Sequence, residues 1–192
     1  ALDSLWKVVK SSEDQKYRDL ALQGYIRLCR VPTERNPAQT YSMLDEAMKL
    51  ANDEERKQQV VEALGDVPHI KALNDVVALM DDPKMKEIAE ASALKIAVSI
   101  VGTHQQEAMN AIEKILATTS NDDLKSQAAP FLEAMNNYVV AWMVTPERYR
   151  KHEVKGLDLI DVPFPPEETG TQEAWEPLLI TDMKEPGRFN FG

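Results

Sequence analysis

The chain has 192 residues, 43% of them hydrophobic, and carries 22 Lys and Arg against 32 Asp and Glu for a formal net charge of −10. That length suits one medium domain, or one domain with an appendage, and the apolar fraction is enough to bury a core. The acid surplus argues against nucleic acid, since phosphate binding needs clustered Lys and Arg. A lone cysteine, Cys29, excludes an internal disulfide and a thiolate zinc site.

Taken in chain order, Leu2, Leu5, Trp6 and Val9 are spaced as the buried face of a terminal helix. Behind Asp14 comes the stripe Tyr17, Leu20, Ala21, Gly24, Tyr25 and Leu28. Gly24 inside it costs about 1 kcal/mol against Ala, a loss that close packing of a neighbouring helix would offset. Cys29 falls near the end of this helix and reads as a buried structural thiol. Val31-Pro32-Thr33 breaks the helix, because Pro disfavours helical backbone in the residue before it. Pro37 opens a further helix over about 38–51, with Tyr41, Leu44, Ala47, Met48 and Ala51 on one side. Asn52 and Glu55 are spaced as a capping box for a helix carrying Val60, Val61 and Leu64. Gly65 ends that helix and Pro68 starts the next, with Leu73, Val76, Val77 and Met80 inward. Asp82-Pro83 is a start signal for the stripe Met85, Ile88, Ala89, Ser92, Ala93 and Ile96, closed by Gly102. Thr103 with Gln106 caps a helix that turns Ala108, Ala111, Ile112, Ile115 and Leu116 inward. Asn121 precedes Leu124, Ala128, Phe131, Leu132 and Met135, and Pro130 is expected to kink this last helix or mark its true start.

Four of these stripes follow start signals at 14, 53, 82 and 121, separated by 39, 29 and 39 residues. A small or β-branched residue stands seven positions after each start: Ala21, Val60, Ala89 and Ala128. A recurrence of this length is that of a helix–turn–helix unit, and short links make successive helices antiparallel neighbours. The expected fold is all-α, an α-solenoid of about eight helices over residues 1–136 in which each unit buries its apolar face on the next. A closed bundle uses similar stripes; the matched offsets favour the open stack.

From about residue 137 the character changes. The last 56 residues hold six of the 11 prolines, four of the seven glycines and two of the three tryptophans. Tyr138–Val144 is a β-prone run, followed by Leu157–Val162, Phe164-Pro165-Pro166 and Trp175, none with helical periodicity. Residues 137–192 are therefore expected to form an extended arm, partly strand, packed on the last helices through its aromatics. The alternative is a linker into a downstream domain. The chain opens as if within a helix and closes as if entering a strand, which suggests an excised piece of a longer protein.

Several segments resemble a known family. Glu55–Gly65, Ala72-Leu73 and Ile88–Ala97 look like HEAT repeats, and Ala21–Leu28 matches the same region. Specifically, they resemble the HEAT-like region of large secreted or envelope proteins of Bacteroidetes and planctomycete-type bacteria. In those proteins the repeats often accompany a β-sandwich related to 3-keto-disaccharide or glycoside hydrolases. In the tail, Trp142–Pro146, Phe164–Glu167 and Trp175–Leu178 are similar to the strand and linker that follow such repeats. The family's Gly before the proline is absent here, and Glu147 takes the place of an aromatic residue. The resemblance implies a periplasmic, envelope-associated or secreted setting, and it carries over no catalytic residue.

No catalytic, cofactor-binding or metal-ligating set emerges from the residues themselves. His69, His104 and His152 form no ligand pair with Cys or with one another, and no phosphate-loop or nucleophile-elbow motif is present. Asp53 with Glu54 and Glu55, Asp81 with Asp82, and Asp122 with Asp123 sit at expected helix starts, where carboxylates complement the helix dipole. Glu167 and Glu168 near Asp158 and Asp161 lack calcium-loop spacing. Arg148, Arg150, Lys151 and Lys155 are too few to suggest nucleic acid. Trp142, Tyr149, Phe164 and Trp175 are the candidate interaction residues, for packing on the helices or for stacking on a glycan. The function expected is a non-catalytic scaffold or interaction module holding a protein or neighbouring domain, with a glycan as a further possibility. The competing expectation is an accessory part of a carbohydrate-active enzyme whose catalytic domain lies outside this chain.

Overall fold

The computed structural model describes residues 2–33, 35–137, 141–144 and 176–179, with Asn137 and the last two segments in backbone only. Among them are eight helices: α1 Leu2–Ser11, α2 Gln15–Cys29, α3 Pro37–Leu50, α4 Glu54–Leu64, α5 Ile70–Leu79, α6 Lys86–Ile100, α7 Gln105–Thr118 and α8 Asp122–Asn137. Two short strands, β1 Ala141–Val144 and β2 Glu176–Leu179, pair antiparallel with Trp142 opposite Leu178. β1 lies within the run read as β-prone. Among the described residues from 2 to 137 the protein is thus all-helical.

Local chemistry explains the helix boundaries. The Asp14 carboxylate accepts the Lys16 N–H at 2.8 Å, and Asn121 Oδ1 accepts the Leu124 N–H at 3.1 Å. Each supplies an acceptor to an otherwise orphaned first-turn donor. Asn36 and Gln39 form a full capping box ahead of Pro37, a signal that the sequence reading passed over. Asp53, the start counted in the recurrence, caps α4 by taking the Arg56 N–H at 2.7 Å, in place of the Asn52–Glu55 capping box. Two start signals move. Asp82 closes a single turn through the Lys84 N–H at 3.0 Å, and α6 begins only at Lys86. The Thr103 hydroxyl points back to the Ile100 carbonyl at 3.2 Å, leaving His104 at the start of α7. Pro130 does not mark the start of α8, which runs through it from Asp122. It stands on the exposed side, where water can serve the carbonyl freed by its missing N–H.

One continuous apolar core runs through all eight helices, from Val9 to Met135. Ala21, Val60, Ala89 and Ala128, the residues seven places after the starts, are all buried and lie one each on α2, α4, α6 and α8. Every substantial contact joins helices adjacent or next-but-one in the chain. The even helices contact one another in succession, α2 with α4, α4 with α6, and α6 with α8. Small residues set the approach: a Cβ added to Gly65 would lie 3.0 Å from both Cβ and Oγ of Ser92 on α6. Not every stripe residue is inside, since Tyr17 and Leu20 remain exposed. Glu90 is a buried carboxylate at 3% exposure; it accepts the Thr118 hydroxyl at 3.1 Å and faces Lys86 Nζ at 3.9 Å.

Candidate functional site

Polar side chains reaching from one helix pair to the next form two seams. Along the even helices, Arg30 at the end of α2 donates from Nη1 to Glu62 Oε1 of α4 at 3.0 Å. Its Nε donates to Asp66 Oδ2, just past α4, at 2.7 Å. Asp66 in turn stands 3.8 Å from Lys95 Nζ on α6, so alternating charges bridge three helices. Along the odd helices, the Tyr41 hydroxyl of α3 donates to Asp75 Oδ2 of α5 at 2.7 Å. The Tyr41 ring also stacks on His69 with centroids 5.2 Å apart. Its hydrogen bond to Asp75, with burial second, pushes the phenol up to about 12. Lys114 of α7 donates to the Val77 carbonyl at 3.2 Å and to Asp81 Oδ2 at 3.1 Å.

A cleft of about 290 Å³ opens between the α2–α3 and α4–α5 connections, lined among others by Cys29, Arg30, Thr33, Arg35, Thr40 and Asp66. Arg35 Nη2 donates to the carbonyls of Leu28, Cys29 and Val31, each at 3.2 Å. It thereby satisfies the open C-terminal end of α2. The cleft thus presents two guanidinium groups, one carboxylate and two hydroxyls. Cys29 is buried; burial pushes its thiol up to about 11, against a smaller lowering from Arg35. At neutral pH it is a protonated core side chain rather than a nucleophile. None of the residues lining the cleft is a histidine, so it can orient a polar partner but has no poised base beside the thiol.

The residues chosen from sequence are mostly elsewhere. Trp142 lies on β1, where the backbone alone is described, and Tyr149, Phe164 and Trp175 fall outside the described residues. So do His152, the basic group at Arg148, Arg150, Lys151 and Lys155, and the acidic group at Asp158, Asp161, Glu167 and Glu168. The expectation that the arm packs on the last helices falls there too. His69 and His104 both stand at helix starts, half-buried. Among the described residues, no group of three or more His, Cys, Asp or Glu is placed to hold a metal ion. No helix there is long and apolar enough to cross a membrane. No motif announces the seams; their one trace in the sequence is spacing, since the hydrogen-bonded pairs lie 32 to 37 positions apart, within the 29 to 39 residues that separate the start signals. Compared with family models, curated proteins and solved structures, the chain matches none.

Proposed function

We propose that the chain is a HEAT-like helical-repeat module of a larger bacterial protein, a scaffold without catalysis of its own. Its helical hairpins stack side by side and hold a protein or neighbouring domain along the exposed seams and the Arg30–Asp66 cleft. The observation that supports this most is the short reach of the contacts, none of the substantial ones joining helices more than two apart. A closed bundle brings its first and last helices together; an open stack does not. Small-angle scattering of the full chain tests the architecture, and an elongated envelope is expected where a compact one would refute it. Incubation with chromogenic glycosides and esters tests the function, with no turnover expected. Hydrolysis lost on a single substitution within residues 2–137 would overturn the non-catalytic reading. Saturable binding to an oligosaccharide panel would favour the carbohydrate-active alternative.

A further inference from the structure

Where the ends of α1 and α3 meet the first turns of α2 and the lead-in to α4, a cleft of about 560 Å³ opens. Three cations line it, Lys10, Arg18 and Lys49, against one carboxylate, Asp19. The chain as a whole has the opposite balance, 22 Lys and Arg to 32 Asp and Glu. Two of the three cations have a local reason to be there. Lys10 and Lys49 stand in the last turns of α1 and α3, where a cation complements the helix dipole. Arg18 has the reverse, as the fourth residue of α2 at the positive end of that helix. Its Nη2 donates to Gln15 Oε1 at 2.6 Å, and Gln15 Nε2 donates to Asp19 Oδ1 at 2.6 Å. The amide thus stands between Arg18 and the one carboxylate of the cleft. Among the described residues Arg18 forms no ion pair, and its Nε, shielded from water, has no hydrogen-bond partner. A half-buried guanidinium without an anion gains more than an exposed one from acquiring a carboxylate. Lys10 lies over the Trp6 ring, 4.8 Å from its centroid. Lys49 holds Asp45 at 2.7 Å with its side chain 68% exposed, a screened pair that can exchange partners.

The rest of the lining narrows the anion. Val9, Leu22 and Leu50 supply an apolar side, with Leu50 37% exposed. Gln15 and Asn52 add amides able to bond a peptide backbone. None of the lining residues is aromatic, so a nucleobase or sugar ring finds no stacking surface. We propose that this cleft takes an acidic peptide segment of a partner protein, its carboxylates on Arg18, Lys10 and Lys49 and an aliphatic side chain between them on Leu22 and Leu50. The inference rests on the scaffold reading in taking a protein as occupant, and it adds the partner's chemistry. Titration calorimetry of the full chain with a capped peptide, one leucine flanked by two glutamates on each side, tests it. A Kd of about 10–300 μM is expected at low salt, weakening about tenfold at high salt. The same peptide with glutamine for glutamate should bind at least tenfold more weakly. Arg18→Gln should weaken binding about tenfold and Lys10→Gln or Lys49→Gln severalfold, while Lys125→Gln on α8 leaves it unchanged. These side chains are exposed or half-buried, and circular dichroism should show every variant folded. No binding of the glutamate peptide would overturn the proposal, as would equal binding of the glutamine peptide or indifference to Arg18→Gln. So would a preference, through Arg18, for pyrophosphate or a short single-stranded oligonucleotide, or self-association lost in Arg18→Gln. Each of these outcomes leaves the scaffold reading standing, which falls instead on turnover.

Discussion

Two glycines in this protein should respond to alanine with opposite signs. Gly65 is buried at the end of α4 with φ −57° and ψ −23°, a conformation that alanine adopts freely. On backbone entropy alone, Gly65→Ala would therefore gain about 0.4–1 kcal/mol. The new methyl, however, would meet Ser92 Cβ and Oγ at 3.0 Å and the Glu62 carbonyl at 3.1 Å. Ser92 Cβ is fixed to the backbone of buried α6, so α4 and α6 must separate, and overpacking of this kind costs about 1–3 kcal/mol. The net expectation is a loss of about 1–2 kcal/mol, or a few degrees in Tm for a chain of this size. Gly24 differs because its added Cβ would meet Leu5 Cδ1 at 3.3 Å, the tip of a half-buried side chain that can rotate. Relief of about 1 kcal/mol of helix-interior penalty then dominates, and Gly24→Ala should be neutral or stabilising. Urea unfolding followed by circular dichroism measures both. Ser92→Gly combined with Gly65→Ala should show a favourable coupling energy, since it removes the two closest atoms. A Gly65→Ala protein as stable as the parent would refute the reasoning.

Other outcomes follow from the same geometry. Cys29 should resist thiol reagents in the native chain and react at a rate set by opening of the fold; stoichiometric labelling within the mixing time would contradict its burial. Stability should be lost at alkaline pH. Burial pushes Cys29 from 9.0 up to about 11 and Tyr25 from 10.0 up to about 12, and the Asp75 bond raises Tyr41 likewise. The folded state therefore keeps protons that the unfolded chain has released. The associated stability is whole below about pH 9 and declines as pH rises toward 12. Urea midpoints that stay flat over that window would rule this out. Arg30→Gln should cost under about 1 kcal/mol, because its partners Glu62 and Asp66 are about a third to a half exposed and water screens them. A much larger loss in the same urea assay would mean that water screens these ion pairs far less than their exposure indicates.

The even helices were the most legible part of the chain. Asp14, Asp53 and Asn121 cap where expected, and the small or β-branched residue seven places after each start is buried on all four even helices. Periodicity and caps are local signals, and they survive folding because each stripe has only one apolar side to hide. Boundaries shifted where a turn competed with a cap, at Asp82 and at Thr103, since the same side chain can close either. Tyr17 and Leu20 show the limit of the stripe itself: spacing identifies an apolar side but not whether a neighbour covers it. The cross-links at Arg30 and Tyr41 were not legible, because pairing depends on which faces two helices present. Of the candidate interaction residues, three lie outside the described part of the chain.

The short reach of the helix contacts also bears on how the protein is made. The farthest of the polar links between helices spans 37 residues, so each element meets its partners soon after synthesis. A chain assembled from such local encounters should fold quickly. Its first helices can settle while later ones are still being translated, which limits the time that apolar stripes stay open to misassembly.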